Sequence, residues 1–494
     1  MSLLQLLGTI VLGLATLLPG PQTPASTVTP ENYCGCEDQP QLDVLAVVNG
    51  VKIKKQDLTV DTRSKVRLLQ DTVVDARSQE LNKLINEKLI DGAAAKRGIT
   101  PTRLFQIEVK DKAVPPTESD ARDFYNKNKV RIPKDFSDVK QELLVALKDD
   151  REKQQARIFI NNLRVGADVK LLVEIVLPPN NEADRARVLA MVNGSPITSN
   201  DVEESLTSLI YEVQQQVYTY RKNDLDLKIN DMLLDQEAKR QGIMPVTLVD
   251  KEVRTKIPII TDQQALAYYN ENKSRMRDDF PKLKFQIIQI LISQEQDKLA
   301  HAFADQLRAK AALQIFLTAP EAPTFKIAID DQPMRGNPNA TVTVVQFTDY
   351  ECPSCAQHYS IVEKLISEFG GEVRFVNRDY PLTQHHFAVK AAEAAEAARQ
   401  QGKYWEYIAL LYRNQRALQV EKLKLYASEL GLDQAKFDAA LDSGLLNDQI
   451  ERDILDGDRC GVDGTPSFFI NGKPIADTSY QGLKIAIQRA LKKS

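Results

Sequence analysis

The chain has 494 residues, 43% of them hydrophobic and 27% charged, which predicts several folded units and excludes both a disordered chain and one that spans a membrane along most of its length. Its 64 basic and 68 acidic residues are intermixed and leave a net charge of -4, so there is no broad basic field for a phosphate backbone, and nucleic acid is not an expected partner.

Leu3 to Leu18 is almost wholly apolar and runs into a Pro-, Ser- and Thr-bearing stretch, Pro19 to Thr29. That run is short for a membrane span, which needs about 20 residues, and fits the core of an export signal with small residues near Ala25 as the cleavage site. Residues 1–25 are therefore expected to be a signal peptide or an uncleaved anchor, although no Lys or Arg precedes the apolar run. Either form puts the body outside the cytoplasm, periplasmic or secreted. Glu31, Asn32 and Tyr33 are not the small residues that precede a lipid-attachment cysteine. Cys34 and Cys36, one residue apart, could close only a strained, easily reduced bridge, so a second redox site and an unpaired or partner-linked pair both stay open.

A shift of 144 residues, from Val44 to Val188, brings two long stretches into register, which marks a duplication. The opening segment through Val48, Asn49 and Gly50 repeats through Val192, Asn193 and Gly194 as a strand ending in a turn. Gly98 repeats as Gly242, each placed to end a helix, and Tyr125 to Lys129 repeats as Tyr269 to Lys273. Leu81, Leu84, Ile85, Leu89 and Ile90 give one helix an apolar face, and a later helix is expected near Phe136 to Leu163. The apolar segment Val169 to Val176 is expected to be a strand pairing back on the first. The shared strings "VLAVVNG" and "VLAMVNG", "AAAKRGI" and "EAKRQGI", and "DFYNKNK" and "AYYNENK" resemble the amino-terminal domain of the SurA and PrsA type of extracytoplasmic chaperone, over residues 42–177 and 186–318. The resemblance implies a cradle for unfolded client chains, with spacers or dimerisation arms as the plainer alternative. No stretch reads as the parvulin domain that commonly accompanies it, so prolyl isomerase activity is not expected.

Pro320 and Pro323 mark a linker at 319–324, and composition changes beyond it. Phe325 to Ile329 alternates as a short strand, and Thr341 to Phe347 is a β-branched strand leading into Cys352-Pro353-Ser354-Cys355. Ile361, Leu365, Ile366 and Phe369 carry helical spacing, which places the two cysteines at a helix start. There the partial positive charge of the helix end favours a thiolate, so Cys352 is expected to attack and Cys355, one turn inside, to resolve. Pro353 suits the first turn because it needs no amide hydrogen. The pair alone would also suit half a zinc site or an inert disulfide, but Cys34, Cys36, Cys460 and His358 offer no ordered ligand set, and no metal is expected.

Val373 to Val376 continues as strand, 387–455 as a helical block, Ser467 to Ile470 as strand turning at Asn471-Gly472, and Tyr480 to Leu491 as a closing helix. With "FTDYECPSCAQHY" and "GVDGTPSFFING" in that order, residues 325–494 resemble the DsbA-like branch of the thioredoxin superfamily. The resemblance implies a cis Pro466 beside the active-site pair, with the Thr465 backbone binding a substrate strand. It also implies a carboxylate six residues before the first cysteine, where this chain has Gln346, so water, Asp349 or Glu351 would have to take the proton of the buried thiol. Ser354 and Pro353 supply no basic residue to the thiolate, which argues against a strong oxidant. Cys460 reads as a buried free thiol, and His385-His386 as loop residues rather than ligands.

The expected fold is multidomain: two mainly α-helical SurA-like repeats, then an α/β thioredoxin fold with a helical insertion. The expected function is an extracytoplasmic thiol-disulfide oxidoreductase that needs no cofactor beyond its own Cys352–Cys355 disulfide. Its partners would be unfolded or cysteine-containing exported proteins and a membrane redox partner that resets the disulfide. The competing reading is a holdase chaperone whose cysteine pair is vestigial or structural. Oxidase, reductase and isomerase roles stay open, because they depend on reduction potential and on that partner.

Overall fold

The computed structural model describes residues 43–174, 176–179, 181–329, 331–443 and 446–493; the apolar start, Cys34 and Cys36 lie outside the described residues. Strands β1 (Val44–Val48) and β2 (Val51–Lys54) form a hairpin at Asn49 and Gly50, whose φ angles of 49° and 84° are those a tight two-residue turn requires. Helix α1 (Val60–Arg97) follows and stops at Gly98, also at positive φ; then come α2 (Pro101–Phe105), α3 (Glu118–Asn128), α4 (Phe136–Val165) and the short strand β3 (Val169–Leu171). The second copy repeats this order as β4 (Val188–Val192), β5 (Ser195–Thr198), α5 (Ser199–Gln241), α6 (Pro245–Glu252), α7 (Asp262–Asn272), α8 (Phe280–Lys310) and β6 (Leu313–Ile315). The likeness reaches single contacts. Arg164 Nε donates to Asn86 Oδ1 at 2.8 Å and Arg308 Nε to Asn230 Oδ1 at 2.8 Å, while the Tyr125–Phe136 and Tyr269–Phe280 rings lie 5.5 and 5.7 Å apart.

The closing strand, however, does not return to its own copy. β3 pairs antiparallel with β4, Val169 opposite Val192, and β1 pairs with β6, Val48 opposite Leu313. The reason is twofold. β1 and β4 carry nearly the same residues, so either edge offers the same partner, and α1 runs without a break for 38 residues, which keeps its own hairpin from folding back onto β3. The cores follow the exchange. Leu189, Val192 and Ile197 of copy two close over Leu81, Ile85 and Leu89 of α1, and Leu45, Val48 and Ile53 of copy one close over Leu225, Ile229 and Leu233 of α5. Thr59, just ahead of α1, donates from both its amide and its hydroxyl to Asp224 Oδ2 of α5 at 2.7 Å. One compact unit thus gathers Asp71–Glu212 with Glu321–Ser494, and the other Glu37–Gln70 with Val213–Pro320.

The carboxy-terminal domain is built on a five-stranded sheet of order β11-β10-β8-β9-β7, from β7 (Met334–Gly336), β8 (Val342–Thr348), β9 (Val373–Asp379), β10 (Ser467–Ile470) and β11 (Lys473–Pro474). β8 and β9 run parallel, joined by helix α9 (Pro353–Phe369), and are buried along almost their whole length, as a parallel pair covered on both faces must be. On one face Val344, Phe375 and Phe468 pack against Leu365 and Phe369 of α9 and Leu483 and Ile487 of the closing helix α15 (Tyr480–Leu491). Between β9 and β10 stand α10 (Ala388–Arg399), α11 (Tyr404–Arg413), α12 (Val420–Glu429), α13 (Gln434–Ser443) and α14 (Asn447–Arg459), the predicted helical insertion. The predicted strand Phe325 to Ile329 does not form: its alternating Phe325, Ile327 and Ile329 pack on the core beside Phe347, Phe469 and Cys460, and packing rather than a strand ladder accounts for the alternation.

Candidate active site

β8 delivers the chain to a tight turn at Thr348–Glu351, and α9 begins at Pro353 with Cys352 as its N-cap. Both thiols are free, Cys352 being 7% exposed and Cys355 fully buried. The Cys352 thiol donates to the Thr465 carbonyl at 3.3 Å, and the Thr465–Pro466 bond is cis, as the resemblance implied. A hydrogen bond from the Cys355 thiol, helped by Thr465 and the amides of Cys355 and Ser354, brings the Cys352 pKa down to about 5 against the opposing effect of burial. Burial, and the same bond to Cys352, push Cys355 far up. One cysteine is thus held as nucleophile and the other as a protonated reserve. Alkylation of Cys352 in the reduced protein should therefore stay flat from about pH 9 down to about pH 6 and fall only near pH 5, whereas an ordinary thiol loses about tenfold per unit below its pKa of about 8.5. A rate profile with the ordinary thiol midpoint would contradict this. Because the folded pKa is depressed, the thiolate's contribution to the stability of the reduced protein is present above the unfolded thiol's pKa and lost as pH falls through about 5.

The turn is clamped from outside. Asp349 Oδ1 accepts from the amides of Glu351 at 2.7 Å and Cys352 at 3.2 Å, and its Oδ2 from the amide of Leu382 at 2.7 Å and from His385 Nδ1 at 2.8 Å. Glu351 accepts from the Phe387 amide at 2.6 Å, and Gln415 Nε2 donates to the carbonyls of Tyr350 at 2.9 Å and Cys352 at 2.8 Å. Burial works against charge on His385, but Asp349, and beyond it Cys352 and Glu351, carry its pKa above the ordinary imidazole value.

Gln346 is buried on β8, its Nε2 3.4 Å from the Thr348 hydroxyl, which bonds Cys355 and lies 2.6 Å from the Tyr412 hydroxyl. Neutral groups therefore stand beside the buried thiol. Asp349 and Glu351, offered by the sequence as proton acceptors, are engaged with the amides and imidazole that hold the turn. Ser354 turns its carbonyl to His358 Nδ1 at 2.8 Å, which fixes that nitrogen as the donor, and Pro353 fills the first helical turn. Cys460 is buried with a pKa pushed up to about 12 by burial, an unreactive core thiol. Among the described residues no cluster of three His, Cys, Asp or Glu side chains could hold a metal. The sequence brings out the cysteines, Thr465 and Pro466; it hides Gln415 and Tyr412, which nothing in their surroundings singles out, and its only hint of His385 is a histidine pair in a loop.

A family model described as thioredoxin matches residues 329–489. Those residues are a thioredoxin-like domain. Solved structures similar to this domain include BdbD from Bacillus subtilis, which is 25% identical, covering 35% of this chain and all of that one at a TM-score of 0.33. The thiol-disulfide exchange protein alpha-DsbA2 from Wolbachia pipientis is 23% identical, covering 34% of this chain and 90% of that one at a TM-score of 0.30. A Na(+)/H(+) antiporter NhaA from Herminiimonas arsenicoxydans is 38% identical over 140 residues, 28% of this chain and 22% of the antiporter, so the chain spans about a fifth of that relative's length. No helix among the described residues is long and apolar enough to cross a membrane. The thioredoxin-like domain carries its cysteine pair at the start of the helix that follows its central strand.

Proposed function

We propose that the chain is an extracytoplasmic oxidoreductase that exchanges disulfides with protein clients, and that its two helical copies act as chaperone-like modules that bind those clients unfolded. The observation that carries the redox part is the pairing of a low-pKa Cys352 at a helix N-cap, 3.3 Å from the Thr465 carbonyl, with a buried, protonated Cys355. The Cys352 thiolate attacks one sulfur of a client disulfide, forms a mixed disulfide and releases the client's other sulfur as thiolate. Cys355, on losing its proton, then attacks Cys352 Sγ, releasing the second client thiolate and leaving the Cys352–Cys355 disulfide. The same steps run backwards oxidise a client dithiol. A membrane redox partner would return the pair to its starting state, and the duplicated strand-and-helix copies with their SurA-like strings support the client-binding part.

Cys355→Ser removes the resolving sulfur and should accumulate mixed disulfides through Cys352, visible as adducts that a reductant releases and that Cys352→Ser abolishes. If Cys355→Ser yields no adducts with exported proteins, the exchange reading fails and the holdase takes its place.

A further inference from the structure

His385 lies in the loop between β9 and α10, far along the chain from Asp349, yet the two share a 2.8 Å hydrogen bond. Asp349 is 1% exposed, and the oxygen that does not hold His385 holds the amide of Cys352. One carboxylate therefore ties the imidazole to the backbone of the nucleophile. The same loop is pinned twice more, through the Leu382 amide on Asp349 and the Phe387 amide on Glu351, so the ring has little freedom to leave. Its neighbour His386 lies edge-on to Phe387, the ring centroids 4.7 Å apart. The dipeptide between the cysteines, Pro353 and Ser354, supplies no positive charge.

We propose that His385, held by Asp349, is a positioning residue that supplies this missing charge: as imidazolium it stabilises the Cys352 thiolate from outside the Cys-Pro-Ser-Cys segment. The inference rests on the exchange reading above and says which group tunes it. The titratable groups facing His385 are Asp349, Glu351 and Cys352, all on the active-site turn. Two are carboxylates and the third a thiolate, so each favours the imidazolium, and by reciprocity the imidazolium favours the thiolate. The bond from Nδ1 to Asp349 leaves Nε2 as the nitrogen that gains or loses the proton. The thiolate should accordingly be best stabilised between the pKa of Cys352 and that of His385, and lose this partner as pH rises through the latter.

The test is made on the full chain, reduced, with His385→Gln, which can still donate to Asp349 but carries no charge, and with His386→Gln as the control. Thiolate ultraviolet absorbance against pH should show the Cys352 midpoint raised by on the order of one pH unit in His385→Gln, a tenfold change in proton affinity, and unmoved in His386→Gln. A His385→Gln midpoint equal to that of the unaltered protein overturns the proposal. Should His385→Gln misfold, the reciprocal measurement decides: the imidazole pKa of His385, followed by NMR, should fall in Cys352→Ser by the same order, and an unchanged imidazole pKa again overturns it. Trapping by Cys355→Ser separates the two readings. Adducts together with an unmoved His385→Gln midpoint sink only this inference, whereas loss of adducts sinks the exchange reading beneath it.

Discussion

Residues 43–179, produced without the second copy, are expected to give no folded monomer. The helical core around Leu81, Ile85 and Leu89 is closed by Leu189, Val192 and Ile197, all from the hairpin of copy two. Withholding those three large side chains forfeits about 5–9 kcal/mol at about 1.5–3 kcal/mol each, comparable with the entire stability of an ordinary domain, about 5–15 kcal/mol. β3 would also lose its strand partner, β4. The fragment's own hairpin cannot substitute unless α1, continuous from Val60 to Arg97, breaks and folds back. Two chains can instead exchange hairpins reciprocally, as the two copies do within one chain. Sedimentation and thermal melting should therefore show a homodimer or an unfolded chain, while the fragment 43–318, which holds both hairpins and both helical cores, melts cooperatively as a monomer. A monodisperse, cooperatively folded monomer of 43–179 would refute the exchange.

Arg378→Met should be the most damaging single substitution in the carboxy-terminal domain that leaves the cysteines untouched. Arg378 is 1% exposed; its guanidinium donates to Asp453 Oδ1 at 2.9 Å, to Asp456 Oδ2 at 2.8 Å and to the Ala328 carbonyl. Asp453 in turn accepts from the Asp379 amide at 3.0 Å and from Gln332 Nε2 at 2.8 Å, so the ion pair ties the end of β9 to α14. Removing the cation from buried carboxylates costs about 3–5 kcal/mol. Burial holds the Asp453 carboxyl up at about 6 even with Arg378 beside it. A carboxyl whose folded pKa is raised contributes stability that is complete below its unfolded pKa, about 4, and is lost as pH rises through the folded value. Loss of the guanidinium would raise that folded value further, so the destabilisation should be larger at about pH 8 than at about pH 4.5, where the carboxyl can take a proton. Urea midpoints, read from the fluorescence of the single tryptophan, Trp405, measure both; an equal loss at the two pH values would show that packing, not charge, is what the arginine supplies.

Much of this architecture is legible in the residues themselves. The register between copies survives in Asn49 and Asn193, Gly98 and Gly242, and Tyr125 and Tyr269, because turns, helix ends and ring pairs are local requirements that act on the residue standing there. The helix start at Cys352, the hairpin at Asn471-Gly472 and the cis bond before Pro466 are of the same kind. The alternation at Phe325 misled because a period of two reports which side chains are buried, not whether a neighbouring strand accepts the hydrogen bonds.

By itself, then, the sequence determined that the chain contains a duplication and that a reactive cysteine pair opens a helix, since spacing and turn chemistry are written within a few residues. Only the tertiary structure decided which copy closes which hairpin, because β1 and β4 present almost the same edge and no local signal separates them. It also decided what surrounds Cys352. Asp349, His385 and Gln415 meet there from three separate stretches of chain, and what brings them together is the packing of the β9–α10 loop and the helical insertion against the turn.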